Sequence, residues 1–308
     1  MPQAPLASVV ICTRNRSASL RRTLVSICEA ARRASDDWEI VIVDNGSTDD
    51  TKQVVSEFAE RLPVRHVFEP NAGLSNARNA GVRASQGDFI VWTDDDVLVD
   101  ENWLNAYFQS FKAHPGRAIF GGKATPLYEE PAKEWFVEAE PELCSLLAIR
   151  NAPSWKEITR DRVPYGLNYA IRGTEQRSHL YDPNLGVAPG RRRGGEEVAV
   201  IREILAAGHS GVWVWEAAVL HRISPERQSE AYIRQFYSSH GYDYPIAGHR
   251  VGKLHSLKGI AIALAAWGKS SIKYRLMRRS KPVQSVPHLV AASIAGASLR
   301  RYLGLQLN

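Results

Sequence analysis

Three consecutive carboxylates, Asp94, Asp95 and Asp96, close the apolar run from Phe89 to Trp92 after a single Thr93. Like charges this close raise one another's pKa and cost stability unless a cation sits among them, so the stretch asks for one. Asp94 and Asp96, two apart on an extended backbone, point to one side and can share a hard divalent ion, or an ion and a ribose. That arrangement suits Mg2+ or Mn2+ bridging a diphosphate. For DDD alone a solvated acidic turn is the competing reading, and its place after five apolar or bend-forming residues counts against it. A second acidic pair, Glu196 and Glu197, opens a helical pattern behind Gly194 and Gly195, where acids also complement the helix dipole. His221 follows the run VWVWEAAVL, and Arg78 lies within SNARNAG.

These residues need a scaffold, and the first 115 residues supply its pattern. Short β-branched runs alternate with helical periodicity, the signature of a parallel sheet with crossover helices. Strands are expected at 7–13, 38–44, 63–69 and 88–93, and helices at 19–34, 50–62 and 74–85. WEIVIVD, aliphatic without alternation, predicts burial on both faces. In such open sheets ligands sit at the carboxyl ends of strands. Thr13 to Asn15, Asp44 to Gly46, Asn71 to Gly73 and Asp94 to Asp96 all fall there. A helix at 101–114 and strands at 118–128, 165–173 and 212–223 follow, with a helix at 194–208 closed by Gly208. Residues 125–160, rich in Trp and Glu, carry no assignable pattern.

The ordered blocks SVVICTRNR, EIVIVDNGSTDDT, NAGLSNARNAG, GDFIVWTDDDV, YGLNYAIRG, GGEEVAVIREILAAG and VLHR resemble the family 2 glycosyltransferases, inverting enzymes with the GT-A fold. The resemblance covers roughly residues 7–223. It implies a single Rossmann-like, mostly parallel α/β sheet with flanking helices and a C-terminal helical basic tail. With a composition shift near residue 245 marking the tail, the chain divides into a glycosyltransferase domain at 1–245, with a nucleotide-binding half at 1–115 and an acceptor-binding half at 116–245, and a basic, partly amphipathic segment at 246–308. The resemblance also implies a bacterial polysaccharide-biosynthesis enzyme moving a sugar from a nucleoside diphosphate to a hydroxyl of a glycan, and the basic tail adds a polyprenyl-diphosphate-linked glycan as an expected acceptor.

By that resemblance Asp96 is the direct ligand of Mn2+ or Mg2+. Asp94 and Asp95 bind ribose, donor sugar or metal-bound water, with Asp94 a second ligand, and His221 ligates the metal or the diphosphate. A lone histidine at a strand end is otherwise simply half-buried. Thr13 and Asn15 match the nucleotide block after the first strand. Asp44 and Asn45 match the acidic block after the second, where many relatives carry two acids; the departure leaves uridine, guanosine and thymidine diphosphates open. Arg78 corresponds to an arginine near base and phosphates. Glu197 matches the catalytic base, with Glu196 the alternate, although the family usually writes Glu-Asp and the substitution lengthens the reach by about 1.5 Å. Gly166 permits close approach of the donor sugar and Asn168 reaches hydroxyls, or the segment is an ordinary strand with an edge glycine. Arg14 and Arg16 read as surface charges. Arg191, Arg192 and Arg193 read as a solvated run, a lipid diphosphate being the other use for them.

At 308 residues, 44% hydrophobic and 23% charged, the chain is an ordinary globular one with room for a sizeable core. Cys12, Cys28 and Cys144, odd in number and without CxxC spacing, suggest neither a disulfide framework nor a zinc site. No basic region precedes the first apolar run, so a cytosolic protein without a signal peptide is expected. From Arg250 onward there are eleven Lys and Arg and no Asp or Glu, leaving 28 basic against 33 acidic residues before it. The body is acidic and the tail basic. Within the tail GIAIALAAW is too short to cross a bilayer, which takes about 20 residues. Lys273, Arg275, Arg278, Arg279 and Lys281 cluster, and Leu289, Ile294, Ala297 and Tyr302 recur at helical spacing. Polybasic sequence beside an amphipathic segment suits an anionic membrane surface, which places the enzyme peripherally on the inner face of the plasma membrane. Two other readings are a nucleic-acid-binding protein, through the tail with Trp267, Tyr274 and Tyr302, and a sugar-nucleotide pyrophosphorylase. The first lacks a recognition motif, and the second wants a glycine-rich loop that ICTRNRSAS lacks.

Overall fold

The computed structural model describes residues 4–129, 132–192, 194–243, 246 and 253–306. By internal contacts the chain forms two compact units, Met1–Leu127 with Ala148–Arg222, and Tyr128–Leu147 with Ile223–Asn308. Composition, in contrast, shifts near residue 245.

In the first unit, three continuous apolar runs form strands buried on both faces, and VRHVF forms a half-buried strand at the sheet edge. Strands β1 (Ala7–Thr13), β2 (Trp38–Asp44), β3 (Val64–Phe68) and β4 (Phe89–Asp94) lie parallel in the order β3-β2-β1-β4. Helices α1 (Ser17–Ala31), α2 (Thr51–Phe58) and α3 (Leu74–Ala84) connect them. After β4 come β5 (Val97–Val99), α4 (Trp103–Ala113) and β6 (Ile119–Tyr128). Two short helices of the second unit follow, α5 (Glu134–Glu138) and α6 (Cys144–Leu147). The chain then runs through β7 (Glu157–Ile158), β8 (Asn168–Arg172), α7 (Gly173–Ser178), a β9–β10 ribbon (Val187–Ala188 and Arg191–Arg192), α8 (Glu196–Ala206) and β11 (Gly211–Ile223).

Among the described residues the main sheet has nine strands, β3-β2-β1-β4-β8-β6-β11-β5 with β7 on β11. Strand β8 is antiparallel to β4 and β6, and β11 is antiparallel to β5 and β7. Alternation along each strand feeds two cores. Val9, Ile11, Ile40, Ile42 and Val91 pack with α1, α2 and α4 on one face, and Val10, Val41, Val43, Ile90 and Trp92 with α3 and α8 on the other. The expected α/β sheet with flanking helices is thus present. The unassigned 125–160 stretch resolves into the end of β6, α5, α6 and the edge strand β7.

The second unit is helical, with α9 (Glu230–Asp243), α10 (Lys253–Met277) and α11 (Pro282–Tyr302). Helix α11 packs against α9, α10 and α5, and the Ser298 hydroxyl donates to the Gly241 carbonyl at 3.0 Å. Leu289 and Ala297, expected on an exposed amphipathic stripe, are therefore buried. Among the described residues an apolar face is exposed on α10, at Leu257, Leu264, Ile272 and Leu276. No helix among the described residues is long and apolar enough to cross a membrane. In the β9–β10 ribbon the side chains of Arg191 and Arg192, and Arg193 as a whole, lie outside what is described.

Candidate active site

The aspartates occupy the tight turn between β4 and β5, at the carboxyl edge of the parallel strands. The turn is fixed from three sides. The Thr13 hydroxyl, at the end of β1, donates to Asp95 Oδ2 at 2.7 Å. The Arg222 backbone N–H donates to the Asp96 carbonyl at 2.9 Å, and the β5–β11 ladder sets His221 opposite Val97. His221 Nε2 consequently stands 3.8 Å from Asp96 Oδ2, with both side chains buried.

Arg16 supplies the positive charge among these carboxylates. Its Nη1 lies 2.8 Å from Asp95 Oδ1 and its Nη2 lies 3.0 Å from Asp96 Oδ2, a fork spanning two side chains. Burial pushes the Asp95 carboxyl up to about 7 although Arg16 pulls it the other way. Reading Arg16 as a surface charge is corrected: 43% of its side chain is exposed, but its guanidinium is spent on the turn. The signal was its place three residues past the buried Thr13, where a cation can reach the end of the neighbouring strand.

The second cluster centres on Arg78 of α3, which is buried. Nη1 donates to Glu196 Oε1 at 2.7 Å and lies 3.8 Å from Glu197 Oε2; Nη2 is 3.9 Å from Asp94 Oδ1. One guanidinium thus connects the aspartate turn to the first turn of α8. Trp92 and Tyr181 flank it, ring centroids 5.9 and 5.5 Å from the guanidinium carbon. Gly195 enters α8 at φ +89, a left-handed conformation open to glycine, which turns both glutamates inward. Gly166 is needed for a different reason: a Cβ there would lie 2.6 Å from Arg78 Nη2. Burial, then the charge of Glu196, push the Glu197 carboxyl up to about 7, against the pull of Arg78. Glu196 is the ion-paired acid, and Glu197 is the one poised near neutrality.

The remaining expected residues divide. Asp44 is buried at the end of β2, accepting from the Ser47 N–H at 2.8 Å and lying 3.7 Å from His66 Nε2. Asn15, at φ +52, accepts from the Thr48 N–H at 2.7 Å and ties the loop after β1 to the loop after β2. Asn45 spends its amide on the next loop, donating to the Glu69 and Asn71 carbonyls and accepting from the Gly73 N–H. Asn168 is the clear departure from expectation. It donates to the Lys123 and Ala217 carbonyls, both at 2.8 Å, and accepts from Trp103 Nε1 and the Tyr107 hydroxyl, both at 2.9 Å. All its capacity is used inside the core and none is left for a sugar hydroxyl.

The set can hold a divalent ion. Two ligand atoms each about 2.1 Å from one ion at octahedral or tetrahedral angles lie about 3.0–3.4 Å apart, close to the 3.8 Å between Asp96 Oδ2 and His221 Nε2. Hard carboxylate oxygens with one imidazole suit Mn2+ or Mg2+. The Arg16 guanidinium contacts that same Asp96 oxygen. Among the described residues no group of three or more potential ligands is gathered as a ready cage.

A family model described as glycosyl transferase family 2 matches residues 8–172. Validoxylamine A glucosyltransferase of Streptomyces hygroscopicus subsp. jinggangensis is 37% identical over 116 residues, 37% of this chain and 26% of that protein. The match spans about a quarter of that relative's length. Glucosyl-dolichyl phosphate glucuronosyltransferase of Haloferax volcanii is 25% identical over 221 residues, 70% of this chain and 69% of that protein. Among solved structures, the mannosyltransferase PcManGT from Pyrobaculum calidifontis, in complex with GDP-Man and Mn2+, superposes at TM-score 0.62 with 17% identity, over 97% of this chain and 88% of that one. TarS 1-349 of S. aureus superposes at TM-score 0.53 with 13% identity, over 98% and 93%. At such identities these structural likenesses concern the fold.

Proposed function

This chain belongs to glycosyl transferase family 2 and has the GT-A fold, and from that premise we propose that it moves a sugar, with inversion, from a nucleoside diphosphate to a hydroxyl of a glycan or lipid-linked glycan. The observation that carries the reading is Arg78, whose single guanidinium joins the aspartate turn to the buried acid pair of α8. Donor-side and acceptor-side chemistry thereby share one anchor. Solved neighbours carrying GDP-Man and UDP-GlcNAc support a nucleotide-sugar donor.

In this mechanism the nucleotide lies across the ends of β1 and β2, where Thr13, Asn15 and Asp44 line the strand ends. Asp96 and His221, with Asp94, would hold Mn2+ or Mg2+, which would supply positive charge against that developing on the departing diphosphate. Glu197 accepts the proton of the acceptor hydroxyl as that oxygen attacks the anomeric carbon from the face opposite the diphosphate. A carboxyl poised near 7 is matched to that task at neutral pH, being both substantially ionised and basic enough to take the proton. Arg78 occupies Glu196 Oε1 in a 2.7 Å hydrogen bond, which leaves Glu197 as the acid that meets the acceptor hydroxyl.

The chain acts peripherally at the inner face of the membrane, with α10 of the second unit offering exposed leucine and isoleucine beside lysine and arginine. The assignment is tested by thermal unfolding with uridine, guanosine and thymidine diphosphates, each with and without Mn2+. A rise in melting temperature with one nucleotide that grows with Mn2+ supports it. No rise with any of them refutes it.

A further inference from the structure

We propose that Arg16 is a resident counter-ion that keeps a divalent cation out of the aspartate turn until a diphosphate arrives to take the guanidinium over. The inference rests on reading the turn as the cation and diphosphate site, and it adds an order of assembly to that site.

The geometry makes the two cations exclusive. Arg16 Nη2 sits 3.0 Å from Asp96 Oδ2, the same oxygen that faces His221 Nε2 at 3.8 Å. A divalent ion bound between Asp96 and His221 would share that oxygen with a guanidinium, and like charges at such distance repel strongly. The carboxylates stand on a turn anchored on two sides. Asp95 is held by the Thr13 hydroxyl at 2.7 Å, and the Asp96 backbone is held by the Arg222 N–H at 2.9 Å. Arg16 is the movable member: it projects from the loop between β1 and α1, and 43% of its side chain is open to solvent.

Displacing Arg16 costs two charge-assisted hydrogen bonds unless another anion receives the fork. A diphosphate is such an anion, since its oxygens match the planar, bidentate donor set of a guanidinium. Metal and diphosphate then bind with positive coupling, each relieving the cost the other meets, and the coupling is reciprocal. Metal alone meets an occupied oxygen.

The test titrates Mn2+ alone, following free Mn2+ by electron paramagnetic resonance, into the wild-type chain and the Arg16→Gln, Arg16→Lys and Arg14→Gln variants. Arg14 is exposed and two residues away, so its variant controls for a general loss of positive charge. The expected result is Mn2+ binding about tenfold tighter or more in R16Q, with R14Q unchanged and R16K between. The gain should vanish in R16Q/D96N, which places it at the turn. A second series with UDP and GDP should show the enhancement by Mn2+ shrinking in R16Q. Melting curves confirm that the variants remain folded, as the exposed position of Arg16 leads one to expect. R16Q binding Mn2+ no tighter than wild type, R14Q gaining equally, or no Mn2+ binding to either protein overturns the proposal. If no variant binds a nucleoside diphosphate with metal, the transferase assignment falls while the Mn2+ comparison still rules on Arg16.

Discussion

Glu197 and Glu196 are neighbours in one helical turn, yet their surroundings give them different duties. The ordinary glutamate value near 4.5 is raised at Glu197 to about 7, by burial first and by Glu196 second. Two consequences carry opposite signs. For catalysis, kcat/KM should climb with pH to a plateau above about 7 as the base loses its proton. Glu197→Gln should lower transfer by about 100-fold or more while leaving nucleotide binding intact. For stability, the fold favours the protonated form, so that contribution is complete below about 4.5 and is lost as pH rises through about 7. E197Q should therefore be more stable than wild type at pH 8, by up to about 3 kcal/mol, and nearly equal to it at pH 4.5 in urea unfolding. A variant less stable at pH 8 would contradict the strained carboxylate. Gly166 argues the neighbouring point. Gly166→Ala places a methyl 2.6 Å from Arg78 Nη2, and we expect about a tenfold fall in transfer, read from steady-state kinetics, as the Glu196 pair loosens.

At the scale of elements, β8 shows how an amide becomes structural. Asn168 is tied to four partners drawn from α4, β6 and β11, so Asn168→Asp, which turns two donors into acceptors facing carbonyls, should cost about 2–4 kcal/mol in urea unfolding. Nucleotide affinity of the folded fraction should be unchanged; a selective loss of affinity would restore Asn168 to the binding site. This residue also marks where sequence reading stops. Asparagine two residues past a glycine at a strand start looks the same whether it faces a sugar or a core, and the deciding partners lie at Trp103, Lys123 and Ala217, distant in sequence. Strands β1, β2 and β4 of the parallel half were legible because strands buried on both faces write continuous apolar runs. Strands β5 and β7, three and two residues long, are too short to show a period and exist only through their pairing with β11. The acidic turn and the α8 acid pair were legible through residue type and spacing. The role of Arg16 was not, because an arginine in a loop reads as solvated until the neighbouring strand end is placed beside it.

For the whole molecule, the division into an acidic body and a basic tail acquires a location. The tail's helical spacing at Leu289 and Ala297 serves internal packing, whereas the face of α10 opposite α11 keeps Leu257, Leu264 and Ile272 exposed, with Lys258, Lys269 and Lys273 along one edge. That combination suits an anionic lipid surface. Full-length protein should float with vesicles containing phosphatidylglycerol and remain behind with neutral ones. Leu264→Glu with Ile272→Glu should abolish flotation without lowering the melting temperature, since both side chains are solvent-facing. Flotation that survives these changes would move the contact elsewhere.

The helical unit is stitched from two stretches, Tyr128–Leu147 and Ile223–Asn308, separated by a long return through the sheet. During synthesis the first stretch leaves the ribosome well before α9 and α11, the helices that α6 and α5 respectively pack against. Phe136, Leu143 and Leu147, buried in the finished protein, must wait uncovered in the interval. A chain cut at residue 245 keeps α9 but loses α11, and so leaves the faces of α5 and α9 that α11 covers open. It should collect in the insoluble fraction on expression, with co-expressed 246–308 restoring solubility.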